Sequence, residues 1–345
     1  MHYEAYSDYE NLRETFDSAV HHQQNIVLQA SSLKDPVRGF AESVCEGLGK
    51  SPRQLECRFL YDARGSELYE KICSQPEYYL TRTEADILQE YAREICRETG
   101  ACHLVELGSG SSVKTDYLLS AYQARYANVC YTPIDISAAA LKMAGRAIID
   151  KRPAVQVVGI HGTYNDSFQL LGCASPTLVI FLGSTLGNFN REEEHKFWQD
   201  ISRHMQIDDY FLLGVDLVKD IDILEAAYND AAGITQAFTK NYFARMNREL
   251  GSAVDLSRIQ HIAFFNPDES RMEIFVEFTA PQKIRVAPLH QVFSIARGER
   301  IQVEISRKFQ LPAVKNHLAS YGFVPVKTYT DVKNWFGLLL FRKIR

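Results

Sequence analysis

The stretch LVELGSGSSVKTDYLL, Leu104 to Leu119, sets Gly108 and Gly110 directly behind an apolar run, with Glu106 just before the turn. Glycines at such a turn let the backbone bend sharply and approach a ligand closely. Asp135, at the end of the next apolar run, has the acceptor chemistry that ribose hydroxyls require. The third glycine of G-x-G-x-x-G is Val113 here, so the dinucleotide fingerprint is incomplete. A dinucleotide needs its pyrophosphate seated on a helix N-terminus. S-adenosylmethionine (SAM) has no phosphate and carries a sulfonium cation, which an acid such as Glu106 suits better. From the loop and Asp135 alone, SAM and NAD stay equally open, and a glycine turn that binds nothing is the bland alternative.

Around these residues, apolar runs of strand length alternate with helical segments. HLVEL, VCYTPIDI, VQVVGIHG, TLVIFLG and YFLLGVDLV are the strands, with helices expected from Ser111, from Ser137 and through REEEHKFWQDISRHM. Such alternation indicates parallel strands in an α/β sheet. Ahead of it, TRTEADILQEYAREICRETG is the cleanest helix: Thr81 to Glu84 fits a capping box, and Ile87, Leu88, Tyr91 and Ile95 share a face. After Val218 the rhythm changes to one helical stretch, KDIDILEAAYNDAAGITQAFTKNYFARMNREL, and then to alternating segments RMEIFVEFTAPQKIRVAP and ERIQVEISRKF. A helix at LPAVKNHLASYG and two closing strands, FVPVKTYTD and WFGLLLFRK, restore the first pattern. Five parallel strands finished by a helix and a C-terminal antiparallel hairpin are the plan of a Rossmann-like, class I SAM-dependent methyltransferase sheet. A second α+β lobe is inserted after the fifth strand. A dehydrogenase would continue with a second βαβαβ half.

The bulk numbers exclude several classes. At 345 residues and 46% hydrophobic content the chain can bury a full core and support two lobes. A formal charge of -5 and no clustered Lys/Arg argue against a nucleic-acid partner. The N-terminus lacks the basic and apolar regions of a signal peptide, and no run reaches membrane-spanning length, so a cytoplasmic protein without a membrane partner is expected. Seven cysteines, Cys45, Cys57, Cys73, Cys96, Cys102, Cys130 and Cys173, are scattered singly, which favours reduced thiols and no metal site.

Several segments together resemble the histidine-specific SAM-dependent methyltransferase family, whose members make hercynine on the way to ergothioneine. They are FLYDARGSELYEKI, PEYYLTRTEADIL, LVELGSGSSVKT, YTPIDIS, FLGSTLGNF, LLGVDLVKD, AAYNDAAGITQAF, NRELG and EISRKF, in family order from about Phe59 onward. The resemblance tips the choice to SAM as co-substrate. It implies that Gly108, Lys114, Asp135 and Gly183 contact SAM. Where the family usually has Asp-Phe, this chain has Thr163 and Tyr164, as its fungal members do, and the pair can still hydrogen bond and stack. It implies that Tyr78, Asn188 and Tyr228 hold the amino acid's carboxylate and amine at the reacting centre. Glu304 and Ser306 would read the imidazole, and Tyr61 would line that pocket with Ile274, which stands where bacterial members often carry Met. The implied organisation is an N-terminal extension, 1–31, a substrate-binding lobe of 32–82 and 219–308, and a SAM-binding domain of 83–218 and 309–345. A monomer acting on the small molecule L-histidine is expected.

These residue types suit the chemistry. Methyl transfer from a sulfonium needs a free amine lone pair, collinearity with the S–CH3 bond and exclusion of water, and no nucleophilic side chain. Asn and Tyr orient the substrate without adding an ammonium. Glu304 can accept an imidazole N–H, and Ser306, two residues on along a strand, serves the other ring nitrogen from the same face. An indole or phenol would leave part of that pair unsatisfied. Taken singly, Tyr78 and Tyr228 read as packing, Glu304 as a solvated strand residue and Asn188 as a turn residue; their joint occurrence in family segments overturns those readings. Two alternatives stay open. One is Nα-methylation of another aromatic amino acid, which competition between histidine and tryptophan would separate. The other is a catalytically silent SAM-binding module, which would bind SAM and yield no methylated product.

Overall fold

The computed structural model describes residues 2–5, 9–30, 35–171 and 176–345. Cys173 lies outside the described residues. Seven described strands precede the insertion: β1 (His2–Ala5), β2 (Ile26–Gln29), β3 (His103–Leu107), β4 (Val129–Asp135), β5 (Val155–His161), β6 (Thr177–Phe181) and β7 (Tyr210–Asp216). Five lie within it, β8 (Ile259–Asn266), β9 (Arg271–Phe278), β10 (Gln282–Val286), β11 (Gln291–Ile295) and β12 (Arg300–Arg307). The last two are β13 (Phe323–Thr330) and β14 (Phe336–Lys343). The chain divides into two compact units. One comprises Met1–Lys34, Arg82–Leu217 and Phe309–Arg345, the other Asp35–Thr81 and Val218–Lys308.

In the first unit the described strands form one sheet in the order β1-β2-β5-β4-β3-β6-β7-β14-β13. Pairing is parallel from β1 through β7. The hairpin β13–β14 then adds antiparallel to β7. Strands β3 and β6 are buried at every residue, as expected of apolar runs covered on both faces. From β3 the chain winds one way through β4 and β5, then crosses back to β6, so the order reverses beside β3. Ligands of open α/β sheets bind outside the carboxyl ends of the strands at such a reversal. Gly108, Asp135, Thr163 and Gly183 all stand at or just after those carboxyl ends.

Two expectations for this unit are corrected. The parallel part of the sheet has seven described strands rather than five, because β2 from the N-terminal segment pairs with β5 and β1 with β2. NIVLQ is too short to stand out by periodicity, but Ile26, Val27 and Leu28 are buried. The helix expected from Ser111 begins at Asp116. Ser112 takes a left-handed φ of 53°, and its amide donates to the Ser109 carbonyl, so the chain turns once more before the helix can start.

In the second unit, β12, β9 and β8 form an antiparallel sheet and β10 pairs with β11. The stretch expected as one helical run is two helices, Ile221–Tyr228 and Ile234–Leu250. Gly233 at φ 70° breaks it, and the Asp230 carboxylate accepts from the amides of Ile234 and Thr235 at 2.7 Å to start the second helix. Tyr228 is thereby fixed at a helix end. Register on β12 shifts between Gln302 and Glu304: Ile301 lies opposite Val276, but Glu304 lies opposite Ile274 and Ser306 opposite Met272. Opposed residues share a face. The bulge at Val303 therefore brings Glu304 and Ser306 round to the face of β9 that carries Met272, Ile274 and Val276.

Candidate functional site

The residues expected to contact SAM belong to the first unit and are set chiefly by backbone. Gly108 and Gly110 take φ of 69° and 50°, a region that L side chains rarely adopt. The amides of Gly108 and Ser109 donate to the Ile134 carbonyl at 2.8 and 3.1 Å, tying the loop to β4. A Cβ on Gly108 would come within 2.8 Å of the Tyr164 hydroxyl, so the loop and Tyr164 leave no room for a side chain. Asp135 accepts from the Gly110 amide at 2.9 Å and the Ser137 amide at 2.8 Å. Burial pushes its carboxyl up, and those amides oppose the shift. The carboxylate thus sets the loop and keeps lone pairs for hydroxyl donors.

Beneath the loop, Glu106 is buried and accepts from Thr115 Oγ1 at 2.6 Å and from the Tyr131 hydroxyl, which also bonds Ser112 at 2.8 Å. The donors favour a carboxylate, but burial outweighs them and raises the carboxyl to about 7. Glu106 is spent on this network rather than facing a ligand cation alone. Thr163 caps the helix Tyr164–Phe168, and its hydroxyl donates to Asp166 at 2.7 Å. With its proton used, Thr163 meets a ligand as an acceptor. The Tyr164 ring packs edge-on to Phe181 at 5.5 Å. Asn188 ends a 3-10 turn, Thr185–Asn188, and is not the cap of the following helix, a role taken by Asn190.

Glu84 is the main residue that the sequence reading misassigned. The helix expected to be capped at Thr81 runs Tyr79–Thr99, so Thr81 lies inside it and donates to Cys73 Sγ at 3.2 Å. Glu84, with no exposed surface, accepts the Gly183 amide on both oxygens at 2.8 and 3.0 Å and pairs with the Lys114 ammonium. One buried carboxylate thus fixes Lys114 and Gly183, two of the positions matched to SAM contact. Gly214 on β7 makes the space, since a Cβ there would fall 2.1 Å from Glu84 Oε1.

Most residues expected to hold the amino acid belong to the second unit and gather as side chains. Tyr61 and Tyr69 meet edge to face at 5.4 Å, Tyr69 and Tyr78 at 6.4 Å, and Tyr78 and Tyr228 at 6.3 Å, giving a continuous phenol wall with Phe238 against Tyr61. Burial first, then the neighbouring Glu304, pushes the Tyr61 phenol well above its ordinary value; burial and the adjacent phenols do the same for Tyr78. Both stay protonated. The Tyr228 hydroxyl donates to Ser306 Oγ at 2.7 Å. The Lys308 ammonium, 4% exposed, donates to Ser306 Oγ at 2.9 Å and to the Tyr228 oxygen at 3.0 Å. Ile274 is buried opposite Glu304.

Within each unit, then, the expected residues stand together: Gly108, Lys114, Asp135, Thr163, Tyr164 and Gly183 around the strand ends of the first, and Tyr61, Tyr78, Tyr228, Ile274, Glu304 and Ser306 in the second. The sequence reading missed Glu84, Tyr69 and Lys308. Lys308 had a signal, because Glu304, Ser306 and Lys308 recur at every second residue. Among the described residues no three potential ligands gather to hold a metal, and no helix is long and apolar enough to cross a membrane.

Residues 40–343 match the model of a family described as histidine-specific, SAM-dependent methyltransferase. A histidine N-alpha-methyltransferase of Mycolicibacterium smegmatis is 39% identical over 313 residues, covering 91% of this chain and 97% of that one. Its counterpart from Mycobacterium tuberculosis is 36% identical over 300 residues, 87% and 94% of the two chains. A fungal relative, ergothioneine biosynthesis protein 1 of Neurospora crassa, is 30% identical over 303 residues, 85% of this chain and 34% of that protein.

Proposed function

This chain belongs to the histidine-specific, SAM-dependent methyltransferase family, and from that premise we propose that it transfers three methyl groups in succession from SAM to the α-amine of L-histidine. The product is the betaine hercynine, a step of ergothioneine biosynthesis. That the chain is an SAM-dependent N-methyltransferase follows from its family. The observation that carries the substrate is the bulged strand β12, where Glu304 and Ser306 share the face of Ile274 and Met272. A carboxylate and a hydroxyl at that spacing answer the two nitrogens of one imidazole.

The donor residues fit SAM. Asp135 retains acceptor capacity for ribose hydroxyls, Thr163 accepts from an amine such as that of adenine, and the positive-φ glycines admit close approach. When bound, SAM supplies a sulfonium methyl that passes to an amine lone pair, with S-adenosylhomocysteine (SAH) and one proton released per transfer. The chain's own task is to present that lone pair in line and dry. Buried phenols at Tyr61 and Tyr78 are held protonated, so the amine proton leaves through water rather than to a phenolate. Tyr228 gives its proton to Ser306, so it serves the substrate amine as an acceptor and not the carboxylate as a donor. The ring face of Tyr78 suits the quaternary ammonium of the product.

The test is a mass-spectrometric assay of the purified chain with SAM and an equimolar mixture of the twenty amino acids. Trimethylated histidine as the dominant product supports the reading in full. Methylation of tryptophan or tyrosine instead would overturn the role of Glu304 while leaving the family intact, and SAM binding with no product would point to a silent module.

A further inference from the structure

The hydroxyl of Ser306 has two lone pairs and one proton to offer. Tyr228 donates into one lone pair at 2.7 Å, and Lys308 donates into the other at 2.9 Å. Lys308 also donates to the Tyr228 oxygen at 3.0 Å, and the phenol, the more acidic of the two hydroxyls, gives its proton to Ser306. Hydrogen bonds in this triangle therefore run one way, from Lys308 to Tyr228 to Ser306, with Lys308 closing it. Ser306 is 4% exposed and keeps its own proton as its remaining capacity. Lys308 lies 4.8 Å from the Tyr228 ring centroid, over the ring, which holds the ammonium in place from a second direction.

We infer that Lys308 is a positioning residue that makes Ser306 a hydrogen-bond donor, so that, on the function proposed above, the site accepts its substrate's ring only as the neutral azole. One ring nitrogen accepts from Ser306 and the other donates its N–H to Glu304. An imidazolium carries N–H on both nitrogens, so one of them would meet the Ser306 proton head-on, a few ångströms from the Lys308 charge. Glu304 favours the cation and the Lys308 ammonium disfavours it; with those two charges opposed, the mismatch at Ser306 decides.

Other ionisable groups on the elements packed here are Glu273 in its ion pair with Arg271 on β9, His261 on β8, bonded to the Tyr228 carbonyl at 2.9 Å, and Asp230 just after Tyr228. A control substrate removes their influence. Titration calorimetry of the full chain with SAH present, using histidine and 1,2,4-triazol-3-ylalanine, compares a ring that protonates with one that stays neutral while the protein titrates identically. Between about pH 8 and about pH 5.5, histidine affinity should fall about tenfold relative to the triazole, the change in neutral fraction for a group of pKa about 6.5. In Lys308→Met, Ser306 regains a lone pair, histidine binding weakens near pH 8 and the tenfold divergence collapses. Should that variant fail to fold, Ser306→Ala removes the donor and collapses the divergence in the same way.

A wild-type ratio that does not change with pH, or one that moves in histidine's favour in acid, overturns the role of Lys308 and Ser306 while leaving the proposed function standing. Absence of histidine binding at either pH overturns the parent reading and this one with it.

Discussion

The two units solve opposite problems with opposite materials. In the first, the groups proposed to meet SAM are backbone turns locked by a few buried carboxylates: Asp135 sets the glycine loop, and Glu84 holds the Gly183 amide and Lys114. In the second, the proposed substrate recognition rests on side chains, namely the phenol wall, Glu304 and the Lys308–Tyr228–Ser306 triangle. A main-chain cradle has few ways to vary, which suits a donor that never changes. A face of side chains can be rewritten one residue at a time, which suits the component that sets specificity.

The comparison breaks most sharply at Gly108. Gly108→Ala must hold a left-handed φ and crowd the Tyr164 hydroxyl, so SAM affinity by calorimetry should fall about a hundredfold, while Gly108→Ala with Tyr164→Phe recovers about tenfold because the clashing atom is gone. Glu84→Gln comes next. It keeps the shape but not the charge, and SAM affinity should fall about thirtyfold; an equal loss of histidine affinity would show that the two sides are not separable. Glu304→Gln tests the other material: KM for histidine should rise about tenfold with KM for SAM unmoved, since an amide can still accept but without charge.

The smallest effect is one of pH. Burial holds the Glu106 carboxyl at about 7, above its ordinary range, so its contribution to stability is full in acid and is lost as pH rises through that value. The melting-temperature advantage of Glu106→Gln over the parent should widen by a few degrees between about pH 5 and about pH 8, about 2 kcal/mol. A constant difference would mean that Thr115 and Tyr131 keep the carboxylate charged throughout. The raised phenols of the second unit introduce no such dependence in this range.

The same contrast explains what was legible in the sequence. Strands β3 to β7 and the closing hairpin stood out because fully buried strands are continuous apolar runs, and the donor loop because only glycine serves its backbone. Glu84 did not, since Thr81 to Glu84 satisfies a capping pattern locally and only the fold reveals that Gly183 and Gly214 claim the carboxylate instead. Strand β2 is four residues long and finds its partner in β5, far along the chain, beyond any local periodicity. The pairing of Glu304 with Ile274 depends on a bulge at Val303, and one extra residue in a ladder leaves no mark on the alternation of EISR.

The placement of β14 between β7 and β13 also bears on how the protein is made. Strand β7 leaves the ribosome well before Phe336–Lys343, and the longer stretch of the second unit, Val218–Lys308, is translated in that interval. Throughout it the main-chain donors and acceptors on the outer edge of β7 have no strand to pair with, the condition under which a half-built sheet recruits a neighbouring chain. Slowing translation between Leu217 and Phe336 should therefore lower the soluble yield more than slowing it ahead of Tyr210, a cost that belongs to synthesis rather than to the finished enzyme.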